Sequence, residues 1–406
     1  RSTQSLTENI DKVIDYNYYP LDERDDKGNV TKKGKIHIPN IKNRPIGIGV
    51  SGLGNLYELY GYAFDSPEAE ALNKKIFACI YFNSLWKSHK LARELGEYET
   101  FRTGKSRIFM EDKFVEMHGS PLSNGYFQFD MWKADADYLE SEGRLNEEIY
   151  CRKDDEQICP KEWGNDLPVK SWDELREIIT KPYDKGGGIR NSMLLAPMPT
   201  ASSAQMLDNM ETTECNQTLL FSRKLSHGNY TCFSRKFVDD MLDLNILNKK
   251  MIDFINSENG SIQNIHFLIT DNQDFFPKLS WKGDGKNRKL PAEYLKKIMN
   301  LRKVYKGMFE ISPFCTARQA RQRGIYVDHS QSLNVYIGEP NEDKLKAYHN
   351  ICDQMGLKTG MYYLRANPAA QTGRFTVSLD VKKYKSKLSE RKKNFVCAED
   401  SCVMCE

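Results

Sequence analysis

Apolar residues in this chain recur mostly at helical spacing, interrupted by short apolar runs of strand length. Leu6, Ile10, Val13 and Ile14 share one face of a 3.6-residue repeat and predict a helix over residues 5–15. Residues 21–44 are charged, with Gly28 and Gly34, and predict an exposed loop or hairpin. A long helix is predicted over 66–95. Ser66 is placed to cap it, Pro67 occupies its first position, Glu68 and Glu70 its first turn, and Gly96 its end. Leu72, Ile76, Phe77, Ile80, Leu85 and Leu91 form its expected core stripe, and His89 is expected to pack rather than to ligate.

Between 133 and 188 the chain is acidic and reads as surface, with one helix at 172–180. Residues 192–196 are an apolar run that predicts a buried strand, stopped by Pro197 and Pro199. Thr200, Ser202 and Ser203 then lead into a helix start at 204–207. Further helices are expected at 237–254, 294–309, 316–321 and 341–355, a strand at 325–337, and a strand or tight turn at 359–365. Helices alternating with short apolar strands indicate an α/β fold with a largely buried sheet or barrel.

Composition adds exclusions. Charged residues make up 28% and the net charge is +3, too balanced to point to nucleic acid or a membrane as partner. No apolar run approaches the roughly 18 residues of a membrane span, and no secretory signal is expected. Ten cysteines are scattered, most within apolar segments, which indicates a reducing, cytoplasmic setting. Cys151 and Cys159 fit no zinc spacing. The chain begins at Arg1 with a helix already in register, so it is expected to be the later part of something longer, or one piece of a split protein.

Four stretches carry candidate chemistry. Gly47-x-Gly49-x-x-Gly52 matches the dinucleotide fingerprint, but a polar loop precedes it and one long helix follows. Close packing of backbone is the expected role of these glycines. Pro199, Thr200, Ala201, Ser202 and Ser203 form a hydroxyl-rich turn between strand and helix. A helix N-terminus leaves amides unpaired and carries partial positive charge, which suits a phosphate or diphosphate; small Ala201 lets the backbone approach. The alternative is an ordinary N-cap with spare serines. Tyr362-Tyr363 are either strand aromatics or a pair of oxidisable phenols. Cys402-x-x-Cys405 closes a lysine-rich segment in which seven of residues 377–394 are Lys or Arg. A two-residue spacing permits thiol–disulfide exchange, and the 26 positions from Thr376 give a flexible reach of roughly 28 Å.

Several stretches together resemble the large subunit of class I ribonucleoside-diphosphate reductase. They are RPIGIGVSGLGNLYELYGYAFDSPEAEALNKKIF, LGEYETF, GYFQFDMW, GIRNSMLLAPMPTASSAQMLDNMET, DHSQSLNVYI, LKTGMYYLRANPAAQ and the terminal CVMC, in the family's order. The resemblance implies the second half of a ten-stranded α/β barrel over residues 1–376, with insertions near 21–43, 102–120 and 133–185. It also implies a flexible tail, 377–406, carrying the redox dithiol. Residues 199–203 match the family's substrate-diphosphate turn, and Tyr362 and Tyr363 the stacked tyrosines that pass a radical in from the small subunit. Cys402 and Cys405 match the tail dithiol that re-reduces the active-site disulfide and is recharged by thioredoxin or glutaredoxin. No metal or cofactor is expected on this chain; the metal-radical cofactor belongs to the small subunit.

The departure from the family is large. Its N-terminal half is missing, and with it the radical cysteine, its Asn and Glu neighbours, both cysteines of the active-site disulfide, and the ATP and deoxynucleotide effector sites. Cys215 follows the turn at a position where the family has another residue, and nothing makes it catalytic. The chain is therefore expected to work within a homodimer of complete large subunits, or with a separate N-terminal half. A non-catalytic homologue that keeps phosphate or partner binding is the alternative. A pure binding module would need neither the tyrosine pair nor the dithiol.

Overall fold

The computed structural model describes residues 1–367 except 165, 226–227 and 284–287, together with Val381 and Tyr384; the side chains of 221–232 are also left undescribed. Cys397, Cys402 and Cys405 lie outside the described residues.

The long helix forms as its sequence dictates, over Pro67–Leu95. Ser66 accepts the Ala69 amide through its Oγ at 3.2 Å, and Gly96 ends the helix at φ 92°. Its buried face is rotated from the expected stripe. Phe77, Tyr81, Phe82 and Leu85 are fully buried, whereas Leu72, Ile76 and Ile80 are half-buried. The first helix, Ser2–Tyr16, packs across it. Asp11 on that helix receives Arg44 Nε and Asn191 Nδ2, both at 2.8 Å, and Asn191 in turn accepts from Ser88 Oγ at 2.8 Å. His89 is packed as expected, with Nδ1 3.0 Å from the Gly188 carbonyl.

Against the Pro67–Leu95 helix runs a set of strand-like segments in one direction. Ile48 bridges Leu195 in parallel, donating to Leu194 O at 2.8 Å and accepting from Ala196 at 2.9 Å. His329 donates to Leu195 O and Ser332 to Pro197 O. Val335–Tyr336 then pairs in parallel with Leu364–Arg365. The spatial order is thus 46–48, 193–197, 329–337, 362–365. Of the strand expected over 325–337 only Val335–Tyr336 is regular, because Tyr326 and Val327 turn back on the preceding helix with amides bonded to Arg323 and Gly324. The glycines of 47–54 do pack backbone closely. A Cβ on Gly47 would stand 3.1 Å from Ala196 Cβ, and one on Gly54 would stand 2.2 Å from Glu214 O.

The segment expected as an exposed loop or hairpin is a hairpin. Residues 23–32 form a small antiparallel hairpin, and 105–118 another, Lys105–Met110 with Lys113–His118. The 133–188 stretch is not surface throughout. Trp172, Leu175 and Ile179 on the helix Trp172–Thr180 enter the main core, and the Trp172 ring stacks on Tyr326 and meets Phe82 edge-on at 5.0 Å. Their helical spacing was legible; the partner surface was not. By the usual cost of emptying an aromatic site, Trp172→Ala should destabilise the fold by about 3–5 kcal/mol.

A second core lies beside the first. Its helices are Arg235–Asp243, Lys249–Ser257, Ile265–Asp271 and Ala292–Val304. The single helix expected over 237–254 is split because Asn245 adopts φ 54° and Asn248 caps a new helix by accepting the Met251 amide. Val381 and Tyr384, within the lysine-rich segment, are buried in this core, and Tyr384 Oη donates to Asp271 at 3.1 Å.

Candidate functional site

The hydroxyl-rich turn sits at the carboxyl end of the 193–197 segment, where α/β folds place their ligands. Its helix, Ala201–Met206, begins three residues earlier than the pattern indicated. Thr200 takes a left-handed φ of 56° and its side chain does not cap the helix. Thr200 Oγ1 instead accepts the Thr212 amide at 2.9 Å, while Thr212 Oγ1 donates to Pro199 O at 3.1 Å. The first intrahelical bond runs from the Ala204 amide to Thr200 O, so the amides of 201–203 precede the ladder. Ala201, Ser202 and Ser203 are exposed. Ser51 closes the underside: its Oγ donates to Asn209 Oδ1 at 2.7 Å and lies 3.5 Å from Thr200 Oγ1.

The loop after this helix leads to the tyrosine pair. Glu214 is buried and accepts two hydrogen bonds, from Asn334 Nδ2 at 2.6 Å and from Tyr336 Oη at 2.5 Å. Tyr336 Oη also receives Gln217 Nε2 at 3.0 Å. Tyr336 pairs across the parallel ladder with Arg365, two residues beyond Tyr363. The rings of Tyr362 and Tyr363 lie 4.3 Å apart at 60°, and both are about half exposed. The Tyr362 hydroxyl is held protonated by its hydrogen bond to Tyr363, which raises its pKa. Glu214 thus connects the loop that follows the turn to Asn334 and Tyr336, and Tyr336 pairs with the segment that carries the tyrosine pair. The sequence pattern had not singled out Ser51, Asn209, Thr212, Glu214, Asn334, Tyr336 or Arg365. All but Glu214 lie inside the stretches that carry the family resemblance, which marks the stretches and not the individual residues.

Two further buried groups adjoin this loop. Cys215 is buried, with Sγ 3.3 Å from Met308 Sδ and 3.4 Å from Lys306 O, and burial pushes its thiol well up. A protonated, enclosed thiol is a poor nucleophile, as expected for this position. Glu58 accepts from Asn216 Nδ2 at 2.6 Å and Ser234 Oγ at 3.0 Å, joining the two cores. Burial pushes its carboxyl from 4.5 up to about 7. The folded state then holds a proton that the unfolded state has released, so this group costs stability as pH rises from 4.5 to about 7. Glu58→Gln should therefore raise Tm more at pH 8 than at pH 5, the difference corresponding to up to about 3 kcal/mol. Equal Tm changes at both pH values, read by calorimetry, would contradict this account.

Among the described residues no group of three His, Cys, Asp or Glu side chains could hold a metal ion, and no helix is long and apolar enough to cross a membrane.

With this geometry in place, comparison with known proteins is direct. The family "Ribonucleotide reductase, barrel domain" matches residues 1–363. The chain belongs to the ribonucleotide reductase family. The ribonucleoside-diphosphate reductase large subunit of Arabidopsis thaliana is 33% identical over 390 residues, covering 96% of this chain and 36% of that protein. Those of Danio rerio and Monkeypox virus are each 32% identical, covering 96% and 98% of this chain and 37% and 39% of theirs. The chain thus spans little more than a third of these reductase subunits. The fold is shared with the Actinobacillus ureae class Id ribonucleotide reductase alpha subunit, with a TM-score of 0.52 at 17% identity. That match covers 91% of this chain and 46% of the other. The fold is accordingly α/β, with the parallel 46–365 array as part of the reductase barrel.

Proposed function

We propose that this chain supplies the substrate-diphosphate site, radical entry and reductant delivery of a ribonucleoside-diphosphate reductase large subunit. The complete enzyme would convert ribonucleoside diphosphates to deoxyribonucleoside diphosphates by a radical mechanism. The observation that carries this reading is the Thr200 side chain. Its hydroxyl is engaged by the Thr212 amide, so it cannot cap the helix, and the amides of 201–203 stay open beside Ser202 and Ser203. That arrangement suits a diphosphate better than an ordinary cap.

Tyr362 and Tyr363 would relay the radical from the small subunit, whose metal-radical cofactor starts the reaction. Cys402 and Cys405 would deliver electrons from thioredoxin or glutaredoxin. This chain holds no counterpart of the family's radical cysteine, so by itself it would not reduce nucleotides. The remainder of the large subunit would supply that cysteine and the effector sites.

The test is electrostatic. Ser202→Asp places a negative charge at the open amides. It should weaken nucleoside-diphosphate binding to the complete large subunit by about tenfold or more, since about 1.4 kcal/mol of repulsion suffices. Unchanged affinity by calorimetry would remove the turn from the substrate site. Loss of catalysis with binding retained in the unaltered protein would favour the non-catalytic homologue.

A further inference from the structure

A small polar cavity lies where three segments of the main core meet. It is lined by Trp132 on the helix Gln128–Ser141, by His329, Ser330 and Gln331 on the loop after the helix Pro313–Gly324, and by Lys358 and Thr359 on the turn before the tyrosine pair. Its volume is about 10 Å³, close to the room that one water needs. The indole is fixed at its edge. Trp132 is 5% exposed, Arg321 lies 4.7 Å over the ring, and a Cβ on Gly324 would stand 2.9 Å from its Cζ2. Its Nε1–H is buried and has no hydrogen-bond partner among the described residues. A buried donor without an acceptor is costly, and native proteins leave few of them.

The other polar groups around the cavity decide what fits. Lys358 Nζ spends its three protons on Gln128 Oε1 at 3.0 Å, Val327 O at 2.9 Å and Asp328 O at 2.8 Å, so it keeps none for an anion. Gln331 donates Nε2 to Ala320 O at 2.7 Å and accepts Arg323 Nε at 2.6 Å, which leaves a lone pair on its Oε1. The hydroxyls of Ser330 and Thr359 can each donate or accept. One unspent donor facing several acceptors is a pattern that water completes, because water accepts one proton and offers two.

We propose that this cavity is a binding site for one internal water, which accepts the Trp132 Nε1 proton and donates to acceptors on the 329–331 loop and the 357–359 turn. The same three segments are already cross-linked by Lys358, and the water makes Trp132 part of that polar joint. The proposal does not depend on the reductase reading of the chain.

The experiment uses the whole 406-residue chain with nitrogen-15 tryptophan, and the probe is water itself. The chain has five tryptophans, and Trp132→Phe identifies the Trp132 indole resonance by its loss. The expected result is cross-relaxation between that indole proton and a long-lived water. No such cross-peak overturns the proposal. A saturable shift of the resonance with bromide, without the water contact, also overturns it, since the occupant is then an anion. Replacing Trp132 by 3-benzothienylalanine keeps the fused rings and removes the N–H; it also identifies the resonance if Trp132→Phe does not fold. A hydrated N–H predicts that this change lowers Tm, by about 1–2 °C for a chain of this size. A dry N–H predicts a rise, because an unpaired buried donor has been removed. An unchanged or raised Tm overturns the proposal, which stands only if the cross-peak and the fall in Tm are both found.

Discussion

Tyr362→Phe and Tyr363→Phe are each expected to abolish turnover of the complete reductase while leaving Tm and substrate affinity nearly unchanged. Phenylalanine keeps the ring and removes the O–H, so the packing term is small. The structure makes that separation sharper than the sequence could. Both side chains are about half exposed, and what fixes the segment is backbone: Tyr362 N–H donates to Leu333 O at 2.7 Å and Val335 N–H to Tyr363 O at 2.8 Å. A Phe substitution leaves those bonds in place. What it removes is the phenol, the only part of the side chain able to lose an electron and a proton together. The measurement is steady-state product formation beside a thermal melt and a binding isotherm. Substantial turnover in either variant would end the relay reading. A large drop in Tm would mean that the pair shapes the fold instead.

The second expected result concerns the tail. Cys402→Ser together with Cys405→Ser should stop thioredoxin-driven multiple turnover and leave the first turnover of pre-reduced enzyme intact. A dithiol at two-residue spacing can attack a buried disulfide and pass through a mixed disulfide, provided it can reach it. The burial of Val381 and Tyr384 sets where that reach is counted from. The 18 positions from Tyr384 to Cys402 give a flexible span of roughly 23 Å, still enough to move between a barrel interior and its surface. A small dithiol such as dithiothreitol should bypass the loss. Cys397→Ser should have a much weaker effect, because Cys397 lacks a partner at the two-residue spacing. The deciding comparison is product per enzyme in a pre-reduced burst against the steady state. Full thioredoxin-dependent turnover in the double variant would exclude the shuttle. Loss of the burst would place these thiols in the chemistry itself.

What the sequence by itself determined was local. Ser66, Pro67 and Gly96 bounded the long helix because capping and left-handed φ are decided within one turn of chain. Pro197 and Pro199 close the 193–197 segment because proline has no amide to donate. The run of close motif matches from the first helix to the terminal CVMC indicated the family, since several long motifs in one order are hard to meet by chance. Tertiary structure decided everything that depends on what lies opposite. The Pro67–Leu95 helix turned its Phe77–Tyr81–Leu85 face inward because the aromatic cluster of Trp172, Phe129 and Tyr326 is on that side. Thr200 precedes the helix without capping it, because its hydroxyl takes the Thr212 amide, twelve residues on. Glu214, Asn334, Tyr336 and Arg365 share no periodicity and span 151 positions from first to last. Only the parallel pairing of 333–337 with 362–365, and the return of the 209–217 loop, brings Glu214 onto Asn334 and Tyr336 and sets Tyr336 beside Arg365.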